Sequence, residues 1–182
     1  DLTALNQSRK ALTEKGKEEA IRIIETTELK NDRVLVVYLP DCHESLAGII
    51  AGRIREKYHR PAFVLTGGET SAKGSGRSIE SYSMYEELVK CADLMIQFGG
   101  HPMAAGLSIE EKNIEEFRRR LNVNCTLTDE ELRPKIVIDV PMPVSYITKE
   151  LVEQISLLEP FGKGNTKPVF AQKNLRVLDH SI

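Results

Sequence analysis

The chain has 182 residues, of which 41% are hydrophobic and 29% are charged, a composition typical of one globular domain plus a smaller unit. A formal net charge of −2 excludes a broadly basic nucleic-acid-binding domain and predicts that any polyanion site is local. No apolar run approaches the roughly 18 residues of a membrane span, and the polar start lacks the layout of a secretory signal, so we expect a cytoplasmic protein with no membrane partner. The three cysteines form no C-x-x-C pair, and we expect them to be reduced thiols.

The first third of the chain predicts a helix followed by a strand–helix–strand unit. Residues 3–29 carry a thin apolar stripe that suits a connector helix, with Gly16 as a point where it can break or kink. Residues 33–39 are continuously apolar and β-branched, as in a strand of a largely parallel sheet. Residues 45–58 predict a helix and residues 61–66 the next strand. The apolar face of this helix is expected to contain Leu46, Ile49, Ile50 and Ile54.

The middle of the chain alternates between flexible and regular patterns. Residues 67–83 are rich in glycine and serine and predict either a loop or a strand weakened by glycine. Residues 83–98 have apolar residues at helical intervals, and the glycine pair at 99–100 is expected to end that helix. A strand at 104–109 and a helix at 110–122 complete the α/β pattern.

The last part of the chain changes character after a polar stretch. Residues 136–143 predict a strand, 147–160 a helix, and 168–182 one or two strands. So few strands leave unpaired backbone edges. We therefore expect this part to pack on the first domain, to pair between chains in self-association, or to be partly mobile.

These patterns predict four segments. We expect a connector helix at residues 1–30, an α/β domain at 31–124, a linker at 125–135 and a β-rich portion at 136–182. Neither internal repeats nor low-complexity tracts interrupt this order.

A glycine- and serine-rich stretch with one arginine, KGSGRS at residues 73–78, is the first candidate site. Its glycines leave the backbone open to a ligand, Ser75 and Ser78 offer hydroxyl groups, and Arg77 presents the fork of donors that matches a phosphate. Together with Gly76, these residues predict a small anion site. The same pattern fits a surface loop whose arginine is merely solvated, and the stretch alone leaves both interpretations open.

A lone histidine among very small residues, in FGGHPMAAGLS at residues 98–108, is the second candidate. Gly99 and Gly100 let a phosphate or a base approach the backbone, and His101 can donate a hydrogen bond, act as an acid or ligate a metal. If His101 contacts phosphate, binding should strengthen as the pH falls through the range in which imidazole titrates. The alternative is a helix end followed by a half-buried histidine with a structural role.

The residues after the first strand, DCHES at 41–45, are the third candidate, because ligands of open α/β sheets bind beyond the carboxyl ends of parallel strands. His43 and Glu44 are the usable groups, although Ser45 is also suited to cap the next helix. Asp41, Cys42 and His43 lack the spacing of a tetrahedral zinc site.

Several motifs of phosphoryl-transfer and hydrolytic enzymes do not occur in this sequence. It has no D-H-H triplet, aspartate-rich ligand cluster, Walker loop or G-x-S-x-G elbow. Phosphoryl transfer normally uses metal ions held by carboxylates and histidines, and we can assemble no such set from these residues. We therefore expect no metal or other cofactor in this chain.

Three stretches together resemble the second half of the RecJ-type single-strand-specific exonucleases of the DHH superfamily. They are HESLAGIIAGRIREKYHRPAFVLT, the block that runs from GSGRSIESYSMYEEL to LMIQFGGHPMAAGLSIEEKNIEEFRRRL, and LEPFGKGNTKPVF. In that family the middle block is the signature of the DHHA1 domain, and the last stretch lies in an OB-fold-like domain. The resemblance covers nearly the whole chain. It implies an α/β fold in which a DHHA1 domain, with a βαβ core and a mixed sheet, follows a connector helix and precedes a truncated, β-rich OB-like portion.

The resemblance also implies a split active site. In the family, a DHH domain binds the Mn²⁺ or Mg²⁺ ions that activate water, and the DHHA1 domain faces it and holds the phosphates of single-stranded DNA. Carried over to this sequence, Arg77 with Ser75 and Ser78 would grip a phosphate at the 5′ end. The segment Gly99–His101 would lie at the scissile phosphate, with His101 in contact with it.

The expected function is the phosphate-binding half of a metal-dependent, single-strand-specific 5′-to-3′ DNA exonuclease of repair and recombination. The DHH domain is absent from this sequence, so we expect the chain alone to be inactive and the DHH domain of the same polypeptide to be its partner. The family often shows Trp-His and Gly around positions 42–45, where this chain has CHES, and this departure leaves the substrate-binding role of His43 open.

Two alternatives stay open at this point. One is a sister phosphodiesterase of very short oligonucleotides or cyclic dinucleotides, which shares the GGH and AAG motifs. The tail EPFGKGNTKPVF argues against it, because those relatives typically stop after the DHHA1 domain. The other is a non-catalytic module that binds nucleic acid or recruits a protein partner through its open strands.

Overall fold

The structure is a computed structural model that describes residues 2–176. The chain divides into two compact units, one up to Pro134 and one from Lys135 onward. In chain order the helices and strands are α1 (Leu2–Thr26), β1 (Leu35–Leu39), α2 (Glu44–Tyr58), β2 (Ala62–Thr66), β3 (Ala72–Arg77), α3 (Met84–Val89), β4 (Met95–His101), β5 (Ala104–Ile109), α4 (Ile114–Asn124), β6 (Val140–Pro141), α5 (Lys149–Ser156) and β7 (Phe170–Ala171).

The first unit is built on a five-stranded mixed sheet with the order β1-β2-β3-β5-β4. Only β1 and β2 run parallel, joined by α2, and the other neighbours are antiparallel. The predicted βαβ unit and mixed sheet are therefore confirmed. The largely parallel character suggested by the first strand holds for that one pair.

One face of this sheet, here called the core face, is covered by α3 and α4. Val36, Phe63 and Leu107 lie in the apolar cluster on this side, and the cluster also contains Phe117 and Leu121 of α4. The rings of Phe63 and Phe117 meet edge to face with centroids 5.4 Å apart, a geometry that adds to the apolar burial.

The opposite face is covered by α1 and α2 over its first strands. There the helices bury Leu35, Val37 and Val64. Helix α1 runs unbroken through Gly16, at which a Cβ would lie 2.6 Å from Cδ1 of Ile50. The sequence allowed a break or kink at Gly16, but the helix continues through it. Gly16 instead lets α1 approach α2 closely.

Helix α2 differs from its prediction at two positions. Ile49, expected on the apolar face, is 37% exposed, and the buried residues are Leu46, Ala47, Ile50, Ala51 and Ile54. The residue that caps the helix is His43 rather than Ser45, because Nδ1 of His43 accepts the hydrogen bond of the Ser45 backbone N–H at 3.2 Å.

The predicted helix over residues 83–98 is wrong beyond its first turns. Helix α3 ends at Val89, a short 3₁₀ turn follows at Ala92–Leu94, and the chain then enters β4. Strand β4 pairs with β5, with Gly99 opposite Gly106, so its backbone groups are satisfied across the sheet. The glycine pair therefore lies within a strand and does not end a helix.

The glycine-rich segment 67–83 resolves toward the strand alternative, since its residues 72–77 form the central strand β3. After α4, the stretch predicted as a linker begins by packing on the first unit: Leu127 is buried, and its carbonyl oxygen accepts a hydrogen bond from Arg33 at 2.8 Å.

The second unit contains less regular structure than predicted. Strands β6 and β7 pair in parallel through two residues each, in place of strands at 136–143 and 168–182, and α5 is shorter than the helix predicted at 147–160. Two-stranded pairings of this length are marginal. Residues 177–182, the end of the last predicted strand, lie outside the described residues together with His180.

Candidate nucleic-acid interface

Alternate residues of β3 serve opposite sides of the sheet. Gly74 and Gly76 face the core, where a Cβ on Gly76 would lie 2.4 Å from Sδ of Met84 and 2.6 Å from Cε1 of Phe63. Successive side chains of a strand point to opposite faces, so the residues between these glycines face the other way. The residues on that other side are Lys73, Ser75 and Arg77. The glycines of this motif thus make room for the core, while its polar residues face outward.

Strand pairing arranges the outward residues of β3, β5 and β4 in three rows on one face, here called the groove face. The rows are Arg77–Ala104–His101, Ser75–Gly106–Gly99 and Lys73–Ser108–Gln97. Adjacent rows are about 6.8 Å apart, since a residue of an antiparallel strand rises about 3.4 Å. The structure therefore brings together four predicted site residues, Ser75, Arg77, Gly99 and His101.

A groove of about 530 Å³ lies on this face. Its floor consists of the Ser75 and Lys73 rows, and its wall is the start of α2, with Glu44, Ser45 and Ala47. The Arg77 row lies next to it along the strands. Glycine occupies two of the three positions of the Ser75 row, so a ligand can lie close to the backbone there.

Arg77 is partly buried between the sheet and α2. Its Nη1 donates to the carbonyl oxygen of Gly76 at 2.8 Å, and a Cβ at Gly48 would lie 2.7 Å from its Nη2. Gly48 of α2 therefore provides the space in which the guanidinium lies. Since one donated bond leaves most of its five N–H groups free, Arg77 retains the donors that a phosphate needs.

Lys73 and Arg77 are the lysine and the arginine of the groove face, and Arg77 differs from most arginines of residues 31–126. Within residues 2–176 no carboxylate forms an ion pair with either of them. In residues 31–126, by contrast, six other arginines pair with a carboxylate: Arg33, Arg53, Arg55, Arg118, Arg119 and Arg120. Arg60 donates to main-chain carbonyl oxygens, as Arg77 does. A chain of net negative charge thus has two uncompensated cations on one open face.

His101 is exposed at the end of β4, and its tautomer follows from one contact. Its Nδ1 accepts the backbone N–H of Met103 at 3.3 Å, so the neutral ring carries its proton on Nε2. The strand position before it requires glycine, because Gly100 has a φ of +153° and a Cβ there would lie 2.4 Å from the carbonyl oxygen of Ala104. Nε2–H is the donor that His101 can offer to an anion.

Two predicted contact residues lie away from the groove face. Ser78 is 1% exposed, and its hydroxyl donates to the carbonyl oxygen of Tyr82 at 2.5 Å, so this hydroxyl stabilises the turn after β3. Gly76 faces Phe63 and Met84 in the core. Burial therefore argues against a phosphate contact by either of them.

His43 directly precedes Glu44 of the groove wall in the sequence, but its own position is at a different cavity. Its Nδ1 is 2.8 Å from Oγ of Ser45 as well as capping α2. It borders a cavity of about 630 Å³ beside α1, together with Lys15, Arg22 and Cys42. The structure gives His43 a capping role and does not place it among the residues that line the groove.

The sequence prediction missed three polar groove residues, Lys73, Ser108 and Gln97, whereas Glu44 of the wall was named in the third candidate stretch. Lys73 donates from Nζ to Oγ of Ser108 at 3.1 Å. The period of two in a strand could have indicated Lys73, because it lies two residues before Ser75. Gln97 was hidden by the incorrect helix prediction.

The chemistry available at this site is anion binding. Among residues 2–176, no three His, Cys, Asp or Glu side chains are grouped so that they could hold a metal ion, so these residues do not fit a metal centre. Burial raises the pKa of the thiols of Cys42, Cys91 and Cys125, which disfavours a nucleophilic thiolate. No helix in the described part of the chain is long and apolar enough to cross a membrane.

The sequence model of the DHHA1 domain matches residues 31–126, which is more than half of the chain and includes all three rows of the groove face. The chain belongs to the DHHA1 family. A second match, to the RecJ OB domain, covers residues 138–182 and makes this DHHA1 chain one of the RecJ type. The predicted family and the predicted order of a DHHA1 domain and an OB-like portion are confirmed.

Relatives of this DHHA1 chain carry the name single-stranded-DNA-specific exonuclease RecJ. The protein of Bacillus subtilis is 36% identical over 92% of this chain, and that of Escherichia coli is 35% identical over 93%. The chain spans 22% and 31% of the lengths of these two proteins. A crystal structure of RecJ in complex with Mn²⁺ from Thermus thermophilus matches 94% of this chain and 25% of its own, with a TM-score of 0.77 and 27% identity.

Proposed function

We propose that this chain is the phosphate-binding part of a single-strand-specific 5′-to-3′ DNA exonuclease of repair and recombination. In this proposal the groove face holds the DNA strand. The metal ions, Mn²⁺ or Mg²⁺, and the water that they activate belong to a DHH domain of the same polypeptide. The chain alone then binds DNA without hydrolysing it.

The observation that supports this proposal most strongly is the open face with uncompensated cations. Arg77 lies opposite His101 across β5, so a guanidinium and an imidazole N–H border the same surface. Both groups donate hydrogen bonds to phosphate oxygens. The hydroxyl of Ser75 lies in the next row and is a further donor. We assign the 5′-terminal phosphate to Arg77 and Ser75, and the scissile phosphate to His101.

The groove face also fits a nucleic-acid strand that is bound through its sugar-phosphate backbone, independently of its base sequence. Its three rows contain no Phe or Tyr on which a base could stack, and Ala104, Gly106 and Gly99 present almost no side chain. Contacts to phosphate position a strand but carry no sequence information. An exonuclease that must pass every sequence needs such a surface.

The RecJ OB match at residues 138–182 supports the exonuclease over a sister phosphodiesterase of very short oligonucleotides. An additional binding module is useful when the substrate extends well beyond the residue that is cut. OB-fold domains bind single strands over several nucleotides.

The test is fluorescence anisotropy of this chain with a labelled, 5′-phosphorylated oligothymidylate at low salt. Hydrogen bonds to charged groups are worth about 1.5–3 kcal/mol, so Arg77→Ala should weaken binding about ten-fold or more. It should also reduce the slope of log K against log salt by about 0.7. The matched control is Arg53→Ala, because Arg53 is 61% exposed on α2 and already paired with Glu56.

Two results would contradict the proposal. One is equal affinity of Arg77→Ala and the unaltered chain. The other is a Mn²⁺-dependent nuclease activity that belongs to this chain and is lost in Arg77→Ala or His101→Ala, since that would place the hydrolytic centre here.

A further inference from the structure

The third row of the groove face has a cation of its own. Lys73 lies opposite Ser108, which in turn lies opposite Gln97 of the edge strand β4. The ammonium donates one hydrogen bond to Ser108, 3.1 Å away, which leaves two of its three N–H groups free. The amide of the exposed Gln97 adds a further donor at the end of the row.

We propose that Lys73 and Gln97 form a second phosphate subsite, which contacts an internal phosphate of the strand whose 5′ end is held in the Arg77 row. Ser108, which is 8% exposed, positions the ammonium of Lys73 by accepting its hydrogen bond. This inference rests on the proposed function and extends it. It assigns to the groove face two phosphate contacts at a fixed separation, with Lys73 as the residue that makes binding depend on the length of the strand.

The separation of the two subsites follows from strand geometry. Lys73 and Arg77 are four residues apart on β3, so their Cα atoms are about 13–14 Å apart. A stacked single strand rises about 3.4 Å per nucleotide, so this distance corresponds to about four nucleotides, and to fewer if the strand is stretched. One nucleotide therefore cannot reach both subsites, whereas a strand of about five or more nucleotides can.

The row between them explains how a strand can pass from one subsite to the other. Ser75, Gly106 and Gly99 carry no charge, and two of them have no side chain. A Cβ at Gly99 would have no atom within 4 Å, so the space above it is open. Glu44, at the wall of the same groove, carries a carboxylate that repels phosphate and so opposes the binding of the strand there.

The test compares 5′-phosphorylated thymidylate probes of one, two, four and eight nucleotides, bound to the unaltered chain, Lys73→Ala and Arg77→Ala at low salt. Lys73→Ala should leave the affinity for the mononucleotide unchanged and lower that for the octamer about three- to five-fold, as for one exposed ion pair. Its salt slope for the octamer should fall by about 0.7. Lys73→Arg should restore octamer binding, and Lys112→Ala, which removes an equal charge at an exposed lysine paired with Glu110, should not weaken it.

The outcomes separate this inference from the function on which it rests. Unchanged octamer affinity in Lys73→Ala, an equal loss with the mononucleotide and the octamer, or an equal loss in Lys112→Ala would each overturn the second subsite. If Arg77→Ala still weakens every probe in those cases, the proposed function stands without it. If neither Arg77→Ala nor Lys73→Ala affects any probe, both proposals fail.

Discussion

The two faces of the central sheet use the same strands for different purposes. On the core face, Gly74 and Gly76 of β3 leave space for large apolar side chains, such as those of Phe63 and Met84 beside Gly76. On the groove face, the intervening residues of the same strand are polar and reach solvent or a ligand. A motif that looks like a single phosphate loop is thus two interleaved sets of residues, and only one set is available for binding.

The same contrast holds for the positive charge on the two sides. Helix α4, which covers the core face, contains three consecutive arginines, the densest basic run in the chain. Arg118 pairs with Asp32, while Arg119 and Arg120 both bind Glu116. The groove face has only two cations over three strands, but both are unpaired in the described chain. The proposed nucleic-acid site therefore lies where charge is uncompensated, and not where basic residues are densest.

The largest difference between the two faces is expected when Gly99 and Gly100 of β4 are each replaced by alanine. Gly100→Ala should destabilise the first unit by about 2–3 kcal/mol, because its φ of +153° is unfavourable for alanine and the new Cβ meets backbone atoms of Ala104 and Ala105. Gly99→Ala is the matched control: nothing lies within 4 Å of its Cβ, so stability should change little. Urea unfolding measures both, and equal stabilities would contradict this assignment.

The next comparison uses neighbouring residues of β3. Gly76→Ala should cost about 1–3 kcal/mol through overpacking against Phe63 and Met84. Ser75→Ala, on the other face, should leave stability within about 0.5 kcal/mol and weaken oligonucleotide binding instead. Thermal unfolding and anisotropy on both variants give the result. A variant of Ser75 that unfolds as readily as that of Gly76 would contradict the division into two faces.

The paired arginines of α4 should respond to acid. Hydrogen bonds from Arg119 and then Arg120 lower the pKa of Glu116 to about 2. Because the pKa is depressed in the folded state, the stabilising contribution is present above the ordinary carboxyl range and is lost as the pH falls from about 4.5 toward 2. Urea unfolding should show Glu116→Gln less stable than the unaltered chain at pH 6, with the difference shrinking in acid. A difference independent of pH would argue against this pairing.

The smallest effect concerns the wall of the groove. Glu44→Gln removes the carboxylate that lines it and should strengthen oligonucleotide binding about two-fold at low salt, with the gain disappearing as salt screens the charge. Glu56→Gln, on the same helix but paired with Arg53, is the control. Anisotropy at several salt concentrations measures the change, and weaker binding of Glu44→Gln would mean that Glu44 contacts the ligand favourably.

Much of this molecule follows from local patterns in the sequence. The apolar runs of β1 and β2 and the stripe of α2 predicted the parallel unit, since burial on both sides requires continuous apolar residues. The spacing of Met84 and Leu88 predicted α3 correctly but said nothing about where it ends. Strand β4 exists because β5 offers it a partner, and pairing between strands distant in sequence is not encoded in a local period.

The site was predictable in its chemistry and less so in its geometry. Residue type made Arg77, Ser75 and His101 candidates, the family resemblance gave them their expected roles, and the structure places them on one face. Ser78 was included with them for its hydroxyl and through the resemblance, but the turn after β3 buries that hydroxyl, which residue type does not reveal. The substrate-binding roles of all these residues remain proposals that the experiments above test.

The most direct test of the central claim is an amide-resolved NMR titration of this chain with a short single strand, comparing a 5′-phosphate with a 5′-hydroxyl end at low salt. The account predicts shifts on the groove face, at residues 73–77 and 97–108, that are larger with the 5′-phosphate. Shifts confined to residues 136–176, or no shifts at millimolar ligand, would contradict it.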